Sequence, residues 1–226
     1  MIRLIQLELK KCQIKKYIKG AIISNIIILG ILLLITYPIK NFNEDIISNY
    51  NIIFGMIDSL VRAIFIIFSG VLTSKIIIKE FKNKDIELLF SYPIDGKKLI
   101  IAKIFIIVTF AFLCIILSNI FLEISFYFLD KSLDLIPNKL NISIVTNNSL
   151  RIFIYALTSS IMTLIPLYLG LIKKSTLVTI LTSIILVSIV CSYNNGFSLN
   201  SIIEVPISLA ILGIVAAYLS IKKIDN

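Results

Sequence analysis

A few charged and polar residues interrupt one otherwise apolar stretch, Ile53–Ile78. Asp58 and Arg62 are four residues apart, so on a helix their side chains are neighbours that can form an ion pair. Ser69 and Thr73 follow at offsets of seven and four residues and share the same helical face. Charges inside hydrocarbon are costly unless they are paired or hydrated, so this face should contact protein or water. Two interpretations stay open: an ion pair that fixes helix packing, or part of a path for a substrate.

A further acidic residue, Glu204, follows Ser201 at the spacing of a capping box, in which serine and glutamate side chains each accept from an orphan backbone amide. We therefore interpret this pair as the start of a helix rather than as a second charge inside the membrane. Pro166 and Pro206 are expected to kink the helices that contain them. Gly213 begins a small-xxx-small pattern, which permits close approach of two helices.

The stretch Lys79–Lys98 lies between two apolar runs and carries several local signals. Asp85 can cap a short helix, Ile86–Phe90, with Glu87 in its first turn, where the helix dipole favours an anion. The sequence Tyr-Pro-Ile-Asp-Gly at 92–96 is typical of a turn. A short apolar helix in this position must cover its apolar surface, either on the lipid interface or against a partner protein.

The elements that hold these residues follow from the composition. Of 226 residues, 58% are hydrophobic and 15% charged, and the mean hydropathy is +1.00. A soluble domain usually has about 45–50% apolar and about 25% charged residues, so a soluble enzyme, a disordered chain and a secreted disulfide scaffold are excluded. Apolar stretches of about 20 residues recur, each long enough to cross a bilayer. We predict an all-α integral membrane protein with six transmembrane helices, at Gly20–Ile39, Ile53–Ile78, Leu99–Leu122, Leu150–Ile172, Ser175–Ser192 and Ser201–Ile221.

The basic residues predict the orientation of these spans. Of the 22 basic residues, 17 lie before the first span, between the second and third spans or just inside their facing ends, between the fourth and fifth, or after the sixth. The positive-inside rule places these segments and both termini in the cytoplasm. The net charge of +9 is therefore an orientation signal, and the lipid bilayer, not nucleic acid, is the expected surroundings.

Met1–Lys19 is predicted to form an amphipathic interfacial helix before the first span. Its apolar residues lie in two stripes on nearly opposite faces, whereas a helix that only rests on a bilayer needs one. Contact with both lipid and protein is one interpretation, and an ordinary basic anchor is the other. Because no internal repeat or Pro/Gly-rich linker is visible, residues 1–226 are expected to form a single transmembrane domain.

Some chemistry is excluded by the residue types. The chain has no histidine, and its three cysteines, Cys12, Cys114 and Cys191, lie far apart without paired spacing. These features argue against a metal centre, a disulfide framework and the common general base. No G-x-x-x-x-G-K-[ST] sequence is present, so the chain has no phosphate-binding loop for ATP. No catalytic residue is expected.

With this arrangement the sequence resembles the permease subunits of ABC-2 type ATP-binding-cassette exporters of bacteria. The similarity covers essentially the whole chain: a basic leader, six spans with both ends inside, and the loop after the second span. The family loop contains an acidic residue, Glu-Leu-Leu, Pro-Ile and a basic pair. Glu80, Ile86–Leu89, Ser91–Ile94 and Lys97–Lys98 fall on those positions, whereas Lys84-Asp85 replaces the usual Gly-Thr.

The resemblance implies that this loop is a coupling helix that binds a separate cytoplasmic ABC ATPase. ATP and Mg²⁺ are then expected on the partner ATPase, with no cofactor on this chain, and a second copy or a related permease completes the pathway. Small subunits of this kind are similar to bacterial exporters that protect against antimicrobial peptides, so the expected substrate is such a peptide or another amphipathic compound in the cytoplasmic membrane. The residues implied in coupling are Glu80, Asp85, Ile86, Glu87, Leu88, Leu89, Phe90, Tyr92 and Pro93.

Two other classes of protein stay open. The first is an ATP-independent membrane protein, either a secondary transporter or a stand-alone immunity protein. Secondary transporters favour inverted repeats and ionisable groups near the midplane, and Asp58 and Arg62 are the residues that approach this description. The second is an intramembrane enzyme, against which the lack of histidine and of paired carboxylates at depth both argue.

Overall fold

Helices dominate the chain because its long apolar runs contain few glycine or proline residues to interrupt them. The computed structural model describes residues 5, 8, 14–41, 50–82, 96–133, 136, 142–191, 193–194, 197–198 and 204–225. The helical elements are α1 (Ile14–Asn41), α2 (Tyr50–Thr73), a π-helical segment (Ser74–Ile78), α3 (Lys79–Lys82), α4 (Gly96–Leu133), α5 (Ile142–Met162), α6 (Leu164–Lys173), α7 (Thr176–Val190) and α8 (Glu204–Asp225). Two short strands, β1 (Tyr193–Asn194) and β2 (Phe197–Ser198), pair in antiparallel fashion.

Within the described residues, five helical segments are long and apolar enough to cross a membrane, which is the architecture of a multi-pass membrane protein. They are Lys16–Thr36, Tyr50–Phe81, Lys98–Leu133, Ile144–Lys173 and Val205–Lys222. The predicted fifth span, Ser175–Ser192, corresponds to α7, which has 15 residues and rises about 22 Å, less than a hydrocarbon core of about 30 Å. The all-α architecture is confirmed, whereas a total of six spans stays a prediction.

No helix break separates the predicted leader helix from the first predicted span at Lys19. Residues 14–19 belong to α1, which continues without interruption to Asn41. Nothing in this stretch breaks a helix before Gly20, and long lysine side chains can reach polar surroundings from an apolar helix. Of the rest of Met1–Lys19, the structure describes Ile5 and Glu8, both helical.

The helices that contain the second and third predicted spans extend beyond the predicted ends. The helical stretch that contains Ile53–Ile78 runs from residue 50 to residue 82, and α4 extends the third span, Leu99–Leu122, from Gly96 to Leu133. The connection expected at Glu123–Ser149 is therefore mostly helical. The polar residues that suggested a loop, Glu123 and Asn148, instead bind each other across α4 and α5, which allows both helices to continue.

The fourth predicted span, Leu150–Ile172, is divided into α5 and α6 at Thr163. Pro166 has no N–H to donate to the backbone oxygen of Met162, so the helix is interrupted one turn before the proline. Thr163 Oγ1 donates to the backbone oxygen of Ser160 over 2.6 Å, which satisfies one carbonyl near the break. Pro206, by contrast, is the third residue of α8, where proline is tolerated, so a kink at Pro206 stays a prediction.

Helix α2 is the central element and packs against α1, α4, α5 and α7. Its buried apolar residues contribute to cores shared with its neighbours. Helix α8 packs on α5 and α6, and a Cβ at Gly213 would lie 2.5 Å from the backbone oxygen of Ile161. The small residue predicted for helix contact therefore serves packing within the chain.

Candidate functional site

An ion pair on α2 lies at the centre of the most polar region inside the bundle. Arg62 Nη2 is 2.7 Å from Asp58 Oδ2, and Arg62 Nε donates to the backbone oxygen of Asp58 over 3.3 Å. Arg62 is 1% exposed and Asp58 is 5% exposed. Because the residues are four positions apart on a helix, their pairing follows from local geometry. Asp58 Oδ1 is buried and has no hydrogen-bond partner among the residues that the structure describes.

Tyr155 of α5 brings two arginines together. The Cζ atom of Arg62 is 4.4 Å from the Tyr155 ring centroid, and that of Arg151, one turn earlier on α5, is 5.8 Å away. A guanidinium over an aromatic face is attracted by the ring quadrupole. Tyr155 is buried and Arg151 is exposed, so the ring connects an interior cation with a cation at the protein surface.

Glu123 of α4 adds a second carboxylate to this region. Asn148 Nδ2 donates to Glu123 Oε1 over 2.6 Å, and Asp58 interacts electrostatically with both Glu123 and Arg151. Two carboxylates and two guanidiniums together have no formal net charge. We name this group the Arg62 cluster, and it consists of Asp58, Arg62, Glu123, Asn148, Arg151 and Tyr155.

Beyond the Arg62 cluster, toward the start of α2, the carboxylate of Asp130 on α4 connects three segments of the chain. The Tyr50 hydroxyl donates to Asp130 Oδ2, and the backbone N–H of Ile136 donates to Asp130 Oδ1 over 2.9 Å. The carboxylate of Asp130 therefore accepts hydrogen bonds from both α2 and the chain that follows α4.

A second charged group lies at the opposite ends of α2 and α4. Lys103 Nζ donates to the carboxylate of Glu80 and to the backbone oxygen of Ile76, the latter over 3.3 Å, and Glu8 Oε2 is 3.7 Å from the same nitrogen. Lys103 is 2% exposed and Glu8 is 6% exposed. Ile76 belongs to the π-helical segment, a type of helical irregularity that often occurs at functional sites. We name Glu8, Glu80 and Lys103 the Lys103 cluster.

The two clusters are separated by one membrane thickness. Lys103 and Glu123 are 20 positions apart on α4, which corresponds to a rise of about 30 Å, the thickness of a hydrocarbon core. Asp58 and Glu80 are similarly distant along the continuous helical stretch that starts with α2. The two charged clusters therefore occupy two levels, and a layer of apolar and small polar residues lies between them.

Ser69 and Thr73, predicted to continue the polar face of Asp58 and Arg62, are both buried between the two clusters. Thr73 Oγ1 donates to the backbone oxygen of Ser69 over 2.8 Å, while Ser69 Oγ lacks a partner within the described part of the chain. Next to them, a Cβ at Gly70 would lie 2.6 Å from Ser183 Oγ of α7. At this level α2 is in close contact with α7, which accounts for the small residues.

Most of the predicted coupling segment falls outside the described residues. Helices α3 and α4 flank it, since α3 ends at Lys82 and α4 begins at Gly96. Of the predicted coupling residues, Glu80 is described and belongs to the Lys103 cluster. Ser201 also lies outside the described residues, and Glu204 is the first residue of α8. The coupling residues outside the described ranges are Asp85, Ile86, Glu87, Leu88, Leu89, Phe90, Tyr92 and Pro93.

The described residues show no group of three or more His, Cys, Asp or Glu side chains that could hold a metal ion. Cys114 and Cys191 are free thiols. Cys191 Sγ lies 3.8 Å from the backbone oxygen of Ser59, next to the Arg62 cluster.

Sequence reasoning missed several residues of both clusters. Lys103 is one of the 17 basic residues that indicate the orientation, and it is also a lone charge inside the predicted third span. Glu8 is the one acidic residue of the basic leader, which was a usable signal for a buried partner. Tyr155 and Asn148 gave no comparable signal, because aromatic and amide residues are common at the ends of apolar helices.

Long apolar helices joined by buried ion pairs define an all-α, multi-pass membrane protein. No protein-family model matches the chain, and no solved structure matches it. The chain is 35% identical to the uncharacterized protein YcbO of Bacillus subtilis (strain 168) over 225 residues, which are 100% of this chain and 99% of that protein. The chain therefore belongs to the family of YcbO.

Proposed function

We propose that this protein is the permease subunit of an ATP-binding-cassette exporter and that it works with a separate cytoplasmic ATPase. The observation that carries the proposal is the position of residues 83–95, which join α3 to α4 and contain the loop motif that resembles the ABC-2 permeases. An ATPase bound to this segment would act directly on the ends of two long apolar helices.

The Lys103 cluster supports this role because it connects the two ends of the segment. Glu80 precedes the segment and Lys103 follows it, and their ion pair holds α3 against α4. Lys103 also donates to Ile76 in the π-helical segment. A displacement of the segment would therefore move α2 and α4 together, and these helices carry Asp58 and Glu123 at the other level of charge. ATP-driven closure of two ATPase subunits would supply such a displacement.

The partners and orientation belong to the same proposal. Both termini and the segment 83–95 lie in the cytoplasm of a bacterium, as the distribution of basic residues indicates. ATP and Mg²⁺ bind the partner ATPase, and a second copy or a related permease completes the pathway. The cargo is an amphipathic compound such as an antimicrobial peptide. A gene deletion that leaves sensitivity to a panel of cell-envelope peptides unchanged would count against this cargo.

The docking proposal is tested by co-expression with a candidate ABC ATPase, followed by affinity capture of the tagged full-length permease. Leu88→Asp places a charge on the apolar face of the coupling segment and should reduce the captured ATPase at least tenfold. Asn83→Asp introduces the same charge in the same segment outside that face and should leave capture near the unmodified level. Equal capture by both variants contradicts docking through this segment.

An ATP-independent transporter is the second candidate, favoured by the interrupted helix at Thr163 and the buried pair of Asp58 and Arg62. Discontinuous helices and interior ionisable groups are typical of secondary transporters. The two candidates differ in their source of energy. Transport into inside-out vesicles that requires ATP and survives dissipation of the proton gradient supports the exporter, and the opposite pattern supports the secondary transporter.

A further inference from the structure

We propose that the Arg62 cluster binds the head group of an aminophospholipid, with the lipid phosphate on Arg151 and its primary ammonium on Glu123. This site goes beyond the proposed coupling to an ATPase and does not depend on it. The lipid belongs to the outer leaflet, because the basic-residue distribution places the Lys103 cluster on the cytoplasmic side.

The position of the cluster matches that of a head group. Glu123 lies about 30 Å along α4 from Lys103, so the two levels of charge coincide with the two polar surfaces of a bilayer. Exposed apolar side chains flank the accessible members of the cluster: Leu150 and Phe153 beside Arg151, and Phe121 and Ile124 beside Glu123. Acyl chains can therefore lie against α4 and α5 while the head group contacts the charged residues.

Arg151 provides the contact for an anion. Arg62 forms an ion pair with Asp58, with 2.7 Å between Nη2 and Oδ2. Arg151 is exposed, and among the described residues it has a ring contact with Tyr155 but no ion pair. The planar guanidinium presents several N–H donors that match the oxygens of a phosphate. Stacking near Tyr155 restricts where this guanidinium can lie, which favours a defined site over a loosely held surface charge.

Glu123 provides the contact for a primary ammonium. It is partly exposed, and its Oε1 receives a hydrogen bond from Asn148 of α5, which lies one turn before Arg151. A primary ammonium has three N–H donors that can bind this carboxylate, whereas the quaternary ammonium of choline has none. The site should therefore prefer phosphatidylethanolamine to phosphatidylcholine.

The test uses the full chain, purified and exchanged into micelles that contain equal amounts of phosphatidylethanolamine, phosphatidylcholine and phosphatidylglycerol. Lipids retained after a second purification are measured by mass spectrometry. The unmodified protein should retain phosphatidylethanolamine at least fivefold over phosphatidylcholine. Arg151→Gln should reduce retention of all three lipids, whereas Glu123→Gln should remove the preference for phosphatidylethanolamine and preserve retention of phosphatidylglycerol. Equal retention of ethanolamine and choline lipids by the unmodified protein overturns the proposal.

Lys131→Gln is the matched control, since Lys131 is an exposed cation further along α4 that lies outside the cluster. The Lys131→Gln variant should retain the three lipids in the same proportions as the unmodified protein. If Lys131→Gln lowers retention as much as Arg151→Gln, binding reflects general charge and the proposed site is wrong. Arg151→Lys keeps the cation and should recover most phosphate-dependent retention, which separates loss of contact from loss of folding. Competition by free phosphoethanolamine at millimolar concentration, without displacement by an equal concentration of choline phosphate, would show that the head group is recognised.

Discussion

Lys103 donates a hydrogen bond to Glu80 across the segment that separates α3 from α4. The two residues are 23 positions apart, and the Lys103 ammonium also lies 3.7 Å from Glu8, near the beginning of the chain. Three parts of the molecule that are distant in sequence therefore meet at one buried ammonium group.

Lys103→Met should destabilise the protein by about 3 kcal/mol, because removal of one partner leaves buried carboxylates without a cation. The free energy of unfolding in mixed micelles is the measurement. Glu80→Gln combined with Lys103→Met should recover part of the loss, since fewer charges stay unpaired. Lys222→Met, at an exposed position of α8, is the control and should change stability by less than about 0.5 kcal/mol. A loss no greater for Lys103→Met than for this control would contradict a stabilising role of the cluster.

The pair of Asp58 and Arg62 gives a prediction that separates its two interpretations. Arg62→Met should cost about 3 kcal/mol, because Asp58 would be buried without its partner. Adding Asp58→Asn should restore most of that stability. If the pair only fixes helix packing, the double variant should also recover transport. Restored stability with lost transport would instead place the pair on the substrate path.

Gly213→Ala should destabilise the contact of α8 with α5 by about 1–3 kcal/mol, because the new Cβ would lie 2.5 Å from a backbone oxygen that cannot rotate away. Gly30→Ala is the matched control, since no atom lies within 4 Å of a Cβ at that position of α1. It should be neutral or stabilising by up to about 1 kcal/mol through helix propensity. The thermal midpoints of both variants provide the comparison, and equal midpoints would contradict the close packing described here.

Membrane orientation can be measured with single cysteines in a chain whose own cysteines are replaced by alanine. Cysteine at position 131 should react with an impermeant maleimide added to intact cells, and cysteine at position 222 should react only after the cells are opened. Both lysines are exposed in the structure, so poor reaction cannot be attributed to burial in the protein. The reverse pattern of labelling would contradict the orientation assigned from the basic residues.

The sequence predicted the all-α architecture and the local neighbours on α2 because both are short-range properties. Apolar composition over about 20 residues indicates a long helix, and a four-residue spacing places Asp58 beside Arg62. The helices extend beyond several of the spans predicted from hydropathy, since hydropathy falls wherever a polar residue occurs. Glu123 and Asn148 lowered it at positions where a hydrogen bond between α4 and α5 keeps both residues helical.

The contact among the three members of the Lys103 cluster could not be predicted from the sequence, for a different physical reason. Its members come from three segments, and nothing in their local spacing shows that they meet. Burial of Lys103 depends on the simultaneous approach of Glu8, Glu80 and a backbone oxygen, which is a tertiary property. The same is true of Tyr155, whose ring stacks with an arginine of another helix.

The π-helical segment Ser74–Ile78 determines the direction in which the side chains of α3 point around the helix axis. A π turn contains about one residue more than an α turn, and one residue corresponds to about 100° of rotation around a helix axis. Removing a single residue from this segment would restore a regular α-helix and turn the Glu80 side chain to a different side of the axis from Lys103. The side of the helix axis on which the chain leaves α3 toward residues 83–95 therefore depends on the extra residue in the π-helical segment. Substitutions on α3 cannot restore that direction if this residue is removed.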